Sequence, residues 1–289
     1  IAPVGEREGH IALFGQDAVQ RKIAGKIGFV AQNPENQIVM DSVWHELAFG
    51  LENMGLPSHV IRRRIAETAN FFGIEPWIEK KVYQLSGGQK QILNLAAVMV
   101  MQPALLLLDE PTAQLDPIAA KEFLQMVGRL NRELGMGVIL SEHRLEEVLS
   151  ICSRVVFLKN GKIAIDASPQ DFVKQLYVNG SNFTTALPAP AKIAHKLGMR
   201  GNYPLNVQQG RAWLQSVKIE KNVEMQEANR EDPGQEVLAA KHIWFQYGKD
   251  GPFVLKDASI AFYKGQTHAI VGSNGSGKST LLHLLCGSY

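Results

Sequence analysis

Val271-Gly-Ser-Asn-Gly-Ser-Gly-Lys-Ser-Thr280 is the stretch whose reading decides the fold. From Gly272 to Ser279 it follows GxxxxGK[ST], with the apolar run Thr267 to Val271 before it and the helical run Leu281 to Cys286 after it. Strand, glycine-rich loop and helix in that order make a phosphate-binding loop. Gly272, Gly275 and Gly277 let the backbone take positive φ and approach a ligand closely. The amides from Gly272 through Ser273, Asn274, Gly275, Ser276 and Gly277 to Thr280, with the helix N-terminus, then surround a polyphosphate. Lys278 adds a point charge at the β- and γ-phosphates, and Ser279 offers a hydroxyl to Mg²⁺. Such a loop is expected early in a nucleotide-binding domain, yet here it lies near the end of the chain.

The 289 residues, 45% hydrophobic and 20% charged, have the balance of one or two globular domains. A net charge of +2 gives no sign of a nucleic-acid or acidic partner. Cys152 and Cys286 show neither metal spacing nor a disulfide framework and read as reduced cytosolic thiols. No signal peptide is recognisable. The longest apolar stretch, 92–108, contains Asn94, Gln102 and Pro103, so it reads as helix, turn and buried strand rather than a membrane span. The first residue is Ile and the last follows a helix directly; both ends read as cut.

Taken in order, Gly9 to Phe14 and Lys26 to Ala31 read as strands, the second buried. Gln32 follows it: a turn residue before Pro34, or a polar group reaching a ligand at the C-terminal edge of a sheet. A helix is expected over 41–55, capped by Asp41 or Ser42, and another over 58–73 with Ile61, Ile65 and Phe72 on one face and Arg62, Arg63 and Arg64 solvated. Leu85-Ser-Gly-Gly-Gln89 opens a helix at Ser86 that presents amides and a hydroxyl to an anion. Ala104 to Leu108 is a fully buried strand ending in Asp109 and Glu110. Two carboxylates there are costly unless a cation or ligand offsets them. Asp109 is a candidate Mg²⁺ partner, and Glu110 a candidate base for an attacking water. Ile118 to Leu134 is an amphipathic helix with Phe123, Val127, Leu130 and Leu134 on one side. Gly137 to Leu140 is a further strand, with His143 just beyond it as a γ-phosphate contact. Asn160-Gly161 turns a hairpin. Residues 169–235 are broken by proline and read as linker, with short helices about 190–198 and 206–216. Strands resume at Val237 to Trp244 and Phe253 to Phe262, and Tyr247 is either a purine-stacking aromatic or a packed surface residue.

The set VGSNGSGKST, the Gln32 loop, LSGGQ, LLLLDEP, QLDP and His143 resembles the ATPase subunit of ATP-binding-cassette (ABC) transporters. QNPENQIVMDSVWHELAFGLEN resembles the Gln loop and coupling helix of the energy-coupling-factor (ECF) type, and LNLAAVMVMQPALLLLDEPTAQLDPIAA its tandem two-cassette form. The resemblance implies an α/β P-loop cassette with a mostly parallel core sheet, a small antiparallel β subdomain and a helical subdomain. It implies ATP and Mg²⁺ as ligands and an importer of vitamins or metal ions at the cytoplasmic face of the membrane. The partners would be a second cassette, a membrane scaffold and a substrate-binding subunit, with no nucleic acid. Matched by motif, Tyr247 would stack on adenine and residues 272–280 would hold phosphates and Mg²⁺. Gln32 would sense Mg²⁺ and the γ-phosphate. Ser86, Gly87, Gly88 and Gln89 would serve the opposing cassette's ATP. Asp109 would bind Mg²⁺ through water, Glu110 would be the base, Asp116 would lie in the dimer loop and His143 would be the switch histidine.

The order of motifs departs from the family, because the phosphate loop comes last. Residues 1–168 then read as the back of one cassette, 169–235 as linker and 236–289 as the front of a second; a circular permutant is the alternative. In the chain by itself, Thr267 to Val271 is expected to dock beside Leu105 to Asp109, since about fifty residues alone bury too little surface to be stable. Two further readings are a soluble ABC ATPase acting on ribosomes or DNA, and a piece that lacks a complete site. The first of these needs a basic surface and a charged helical arm, which the near-neutral charge and proline-broken linker do not supply.

Overall fold

The computed structural model describes residues 8–9, 11–13, 15–17, 25–217, 235–248, 251–272 and 275–288. They belong to two compact units, one of Ile1–Gln114 with Glu122–Arg144, the other of Leu115–Lys121 with Leu145–Tyr289.

The first unit begins with a short antiparallel pair, β1 (Ala12–Leu13) and β2 (Gln16–Asp17). Its centre is a parallel sheet of β3 (Ile27–Val30), β4 (Leu105–Asp109) and β5 (Gly137–Ser141) in the order β3-β4-β5. Parallel neighbours need long crossovers. Here α1 (Val43–Asn53), α2 (Ser58–Phe72) and α3 (Gly87–Met99) intervene between β3 and β4, and α4 (Pro117–Leu134) between β4 and β5. The three helices pack on one another, and α3 packs on β3. Val30, Leu106 and Leu108 are buried on one face of the sheet. Alternation sends Phe29, Leu107 and Ile139, aligned in one row across the strands, to the other face. Phe29 and Ile139 are 51% and 61% exposed, so the full burial predicted for these strands holds for one face only. At Gly28 a Cβ would lie 2.3 Å from Val98 Cγ1; the missing side chain is what lets α3 close on the strand.

Ser42 is the N-cap of α1, but its hydroxyl pairs with His45 Nδ1 (2.9 Å) rather than with the helix backbone. The buried Glu46 carboxylate accepts from the Val39 and Met40 amides and fixes the approach to the helix. On α4, Phe123, Val127 and Leu130 are buried as expected, while Leu134 is 56% exposed in the last turn.

The second unit contains α5 (Leu145–Val148), then a hairpin of β6 (Val155–Lys159) and β7 (Lys162–Ala167). The hairpin turns on Asn160 and Gly161, both at positive φ (52° and 72°), the conformation that two-residue hairpin loops favour. There follow α6 (Pro169–Val178), α7 (Ala189–Lys196) and α8 (Val207–Ser216). These residues do not form an extended linker. Phe172, Val173, Leu176, Leu187, Ala191, Ala194, Tyr203 and Leu205 bury a core together with Leu145, Leu149 and Ile165. Proline breaks the segment into short helices, yet each keeps an apolar side to bury. The rings of Tyr177 and His195 lie parallel in that region, 3.7 Å apart, and His195 Nδ1 is 3.0 Å from the Tyr203 hydroxyl, which donates to Met199 O (3.2 Å). The charged part of the predicted linker, 218–234, lies outside the described residues.

The chain continues with an antiparallel hairpin of β8 (Glu236–Gln246) and β9 (Phe253–Tyr263), then α9 (Lys278–Leu285). The strand expected over 267–271 is absent: these residues join no sheet, and Val271 is 86% exposed. The predicted docking beside Leu105 to Asp109 is overturned by topology. β4 pairs with β3 along one edge and β5 along the other, so neither edge is left for another strand.

Candidate functional site

Parallel strands in register deliver their C-terminal residues to one edge. Gln32 follows β3, Glu110 follows β4 and His143 follows β5, and their side chains meet. Gln32 Nε2 donates to Glu110 Oε2 at 3.0 Å, and His143 Nε2 lies 2.7 Å from Glu110 Oε1. Both carboxylate oxygens are therefore engaged. Gln32 thus reaches across the sheet edge to a neighbouring side chain. Its loop is shaped by Gln37, which accepts from the Ala31 amide and donates to Phe29 O. Asn33 caps the turn at 34–36, and Glu35 pairs with Lys90 of α3.

Glu110 sits at φ 42°, in the left-handed region. The chain turns sharply there, and the Glu110 amide donates to both Ser141 O (3.2 Å) and Ser141 Oγ (2.9 Å). The same hydroxyl donates to Asp109 Oδ1 (2.8 Å). Sequence reasoning assigned no role to Ser141 or Glu142. Glu142 Oε1 accepts from the Thr112 amide (3.1 Å) and hydroxyl, and Oε2 accepts from the His143 amide (3.1 Å). A carboxylate next to a histidine at a strand end was the available signal.

Ser86 caps α3 by accepting from the Gln89 amide (3.3 Å), while Gln89 Oε1 accepts from Ser86 N (2.9 Å). Gly87 and Gly88 form the first turn, with Ser86 and Gly87 exposed. In the second unit, Asp116 Oδ1 accepts from the Ile118 and Ala119 amides, both at 3.0 Å, and so starts α4.

The phosphate-loop residues of the second unit form a helix entry. Gly277 is the N-cap of α9 at φ 92°, with Gly275 at 79°. Gly272 is also at positive φ, 159°, and a Cβ there would lie 2.6 Å from Ser276 Oγ, so all three loop glycines take the conformation expected of them. Lys278 Nζ donates to Gly272 O at 2.9 Å, closing the loop on itself. Ser276 and Ser279 are exposed, and Thr280 is buried. Ser273 and Asn274 lie outside the described residues. The Tyr247 hydroxyl is 2.9 Å from Thr280 Oγ1, which sets the half-exposed ring beside the first turn of α9. Tyr247 also meets Phe245 edge-on, at 5.0 Å between centroids.

A family model described as ABC transporter matches residues 3–113 and 255–289, together half of the chain. The chain belongs to the ABC transporter family. Its matched blocks contain Gln32, Ser86, Asp109, Glu110 and the phosphate loop; His143 and Tyr247 lie outside them. A putative ABC transporter ATP-binding protein of Bacillus thuringiensis is 46% identical over 99% of this chain and 52% of its own length. An energy-coupling factor transporter ATP-binding protein of Symbiobacterium thermophilum is 42% identical over 58% of this chain and 60% of its own. Among solved structures, CbiO1 of Clostridium perfringens, described as part of the ABC transporter complex CbiONQ, aligns with a TM-score of 0.55. It is 30% identical over 66% of this chain and 77% of its own. The fold is that of the P-loop ABC ATPases. The chain spans about half the length of curated relatives that it matches.

Proposed function

We propose that the chain is the ATP-binding and ATP-hydrolysing part of an ECF-type importer of vitamins or metal ions. The observation that carries this is the Glu110 carboxylate held at once by Gln32 and His143 at the C-terminal edge of a parallel sheet. A carboxylate so placed can orient a water and accept its proton. His143 and Gln32 are positioned to follow the charge that changes there. In the other unit, residues 272–280 would supply amides and the Lys278 ammonium to the phosphates of the nucleotide bound there, and Tyr247 an aromatic face to its base.

Ser279 in one unit offers a hydroxyl oxygen and Asp109 in the other a carboxylate oxygen; each is a hard donor of the kind that Mg²⁺ takes beside waters and nucleotide phosphates. Among the described residues no cluster of three or more His, Cys, Asp or Glu could hold a metal without the nucleotide. When bound, Mg²⁺ would neutralise phosphate charge.

Motif order further supports a tandem arrangement, with residues 1–168 from the back of one cassette and 236–289 from the front of another. The division of the family match into two separate blocks and the doubled length of the relatives agree with it. Ser86 to Gln89 would then face the ATP of an opposing cassette, with Asp116 in the loop between cassettes. Among the described residues no helix is long and apolar enough to cross a membrane. The assembly would act at the cytoplasmic face, with α1 passing cassette closure to a membrane scaffold. The energy-coupling relative and CbiO1 favour this reading.

The test is nucleotide binding and turnover measured together. Lys278→Ala should weaken ATP binding, and Glu110→Gln should retain binding while lowering turnover by about 10²-fold or more. Undiminished turnover in Glu110→Gln overturns the assignment of the base.

A further inference from the structure

We propose that Glu142 is a positioning residue for the reaction: its carboxylate locks the loop after β4 to the loop after β5 and thereby holds His143 against Glu110. The proposal rests on the catalytic reading of Glu110 and His143 given above.

The β4–β5 ladder ends at the pair Asp109↔Ser141. From that pair onward, three consecutive residues each grip the opposite strand end or loop. Ser141 binds Asp109 and the Glu110 amide; Glu142 binds the Thr112 amide and hydroxyl; His143 binds the Glu110 carboxylate. Thr112 is fully buried, so its N–H and O–H need an acceptor inside the fold. The second oxygen of Glu142 faces the other way and accepts from the His143 amide.

The His143 side chain is 79% exposed. Among the described residues its ring has one hydrogen-bond partner, Glu110. Among the described residues the imidazole is mostly in solvent. Its position follows from where its backbone is held, and Glu142 is the side chain that holds that backbone. The chemistry calls for a carboxylate: an ionised Glu accepts through both oxygens, whereas Gln accepts through one and donates through the other. Neither Ser nor Thr spans both loops.

The test compares Glu142→Ala and Glu142→Gln with the parent chain by amide exchange, ring ¹⁵N shifts of His143, thermal melting and ATP turnover. In Glu142→Ala the amides of Thr112 and His143 should both exchange at least about tenfold faster. The His143 ring signal should move to that of a histidine without a carboxylate partner. Turnover should fall about tenfold with KM for ATP within about twofold, the signature of a group acting through chemistry rather than ground-state binding. In Glu142→Gln, one of the two amides should stay protected and the other not. Protection of both amides in Glu142→Ala overturns the proposal, as does parental turnover or an unmoved ring signal. If Glu142→Ala does not fold, Glu142→Gln carries the test, since protection of both its amides refutes the two-sided clamp. A Glu110→Gln chain with intact turnover refutes the catalytic reading while leaving the amide result standing. Loss in Glu110→Gln without loss in Glu142→Ala refutes the positioning role alone.

Discussion

Glu110 takes left-handed backbone that costs a non-glycine residue on the order of 1–3 kcal/mol. The bonds from its amide to Ser141 O and Oγ offset that cost. Ser141→Ala removes the second of them and the donor to Asp109, and should destabilise the chain by about 1 kcal/mol, read as a lower urea midpoint. At the same scale, burial pushes the Cys152 thiol above its ordinary value, leaving little thiolate at neutral pH. Cys286 is exposed. A thiol reagent at pH 7 should modify Cys286 first, with Cys152 following only on unfolding; equal rates would contradict this. The residues of this edge were legible one at a time, because Asp109, Glu110 and His143 each stand at the end of an apolar run. Gln32 was not, since turn and ligand contact predict the same residue before Pro34, and its bond to Glu110 follows only from the parallel register. The role of Glu142 depends on Thr112 being buried, which no local pattern reveals.

At the scale of elements, Arg154 and Asp166 join β6 to β7 through two bonds of 2.6 and 2.5 Å. The hydrogen bonds from Arg154, which outweigh desolvation, hold the Asp166 carboxyl below its ordinary 3.8. A carboxylate with a lowered folded pKa stabilises above its unfolded value, and that stabilisation disappears as pH falls through the folded value. Asp166→Asn should therefore melt below the parent at pH 7, and the gap should close as pH drops below the ordinary carboxylate range. A gap independent of pH would exclude the ion pair as its cause. In the sheet, Gly28→Ala would set a Cβ against Val98 Cγ1 and should cost about 1–3 kcal/mol. β3, β4, β5 and α4 were legible as apolar runs and periodic stripes. The run 267–271 ends in Ala269, Ile270 and Val271, yet forms no strand, because a strand exists only through a partner's hydrogen bonds. Residues 169–217 show the converse: proline and short helices read as linker, and only the pooled burial of their apolar sides makes a core.

For the molecule as a whole, the row Phe29, Leu107 and Ile139 turns an apolar strip toward solvent, and among the described residues β5 has a sheet partner along one edge only. An unpaired edge beside an apolar face is a template for association. Light scattering should therefore rise with concentration, and Ile139→Lys should suppress the rise without lowering the melting temperature by more than a few degrees. Unchanged scattering in that variant would place the sticky surface elsewhere. The stacked rings of Tyr177 and His195 have a different use. Protons on His195 lie in the shielding cone of the tyrosine and should resonate upfield of those of the other histidines. That displacement vanishes once the rings separate, so a single line of the proton spectrum reports whether the core of the second unit is assembled, with no label attached to the chain.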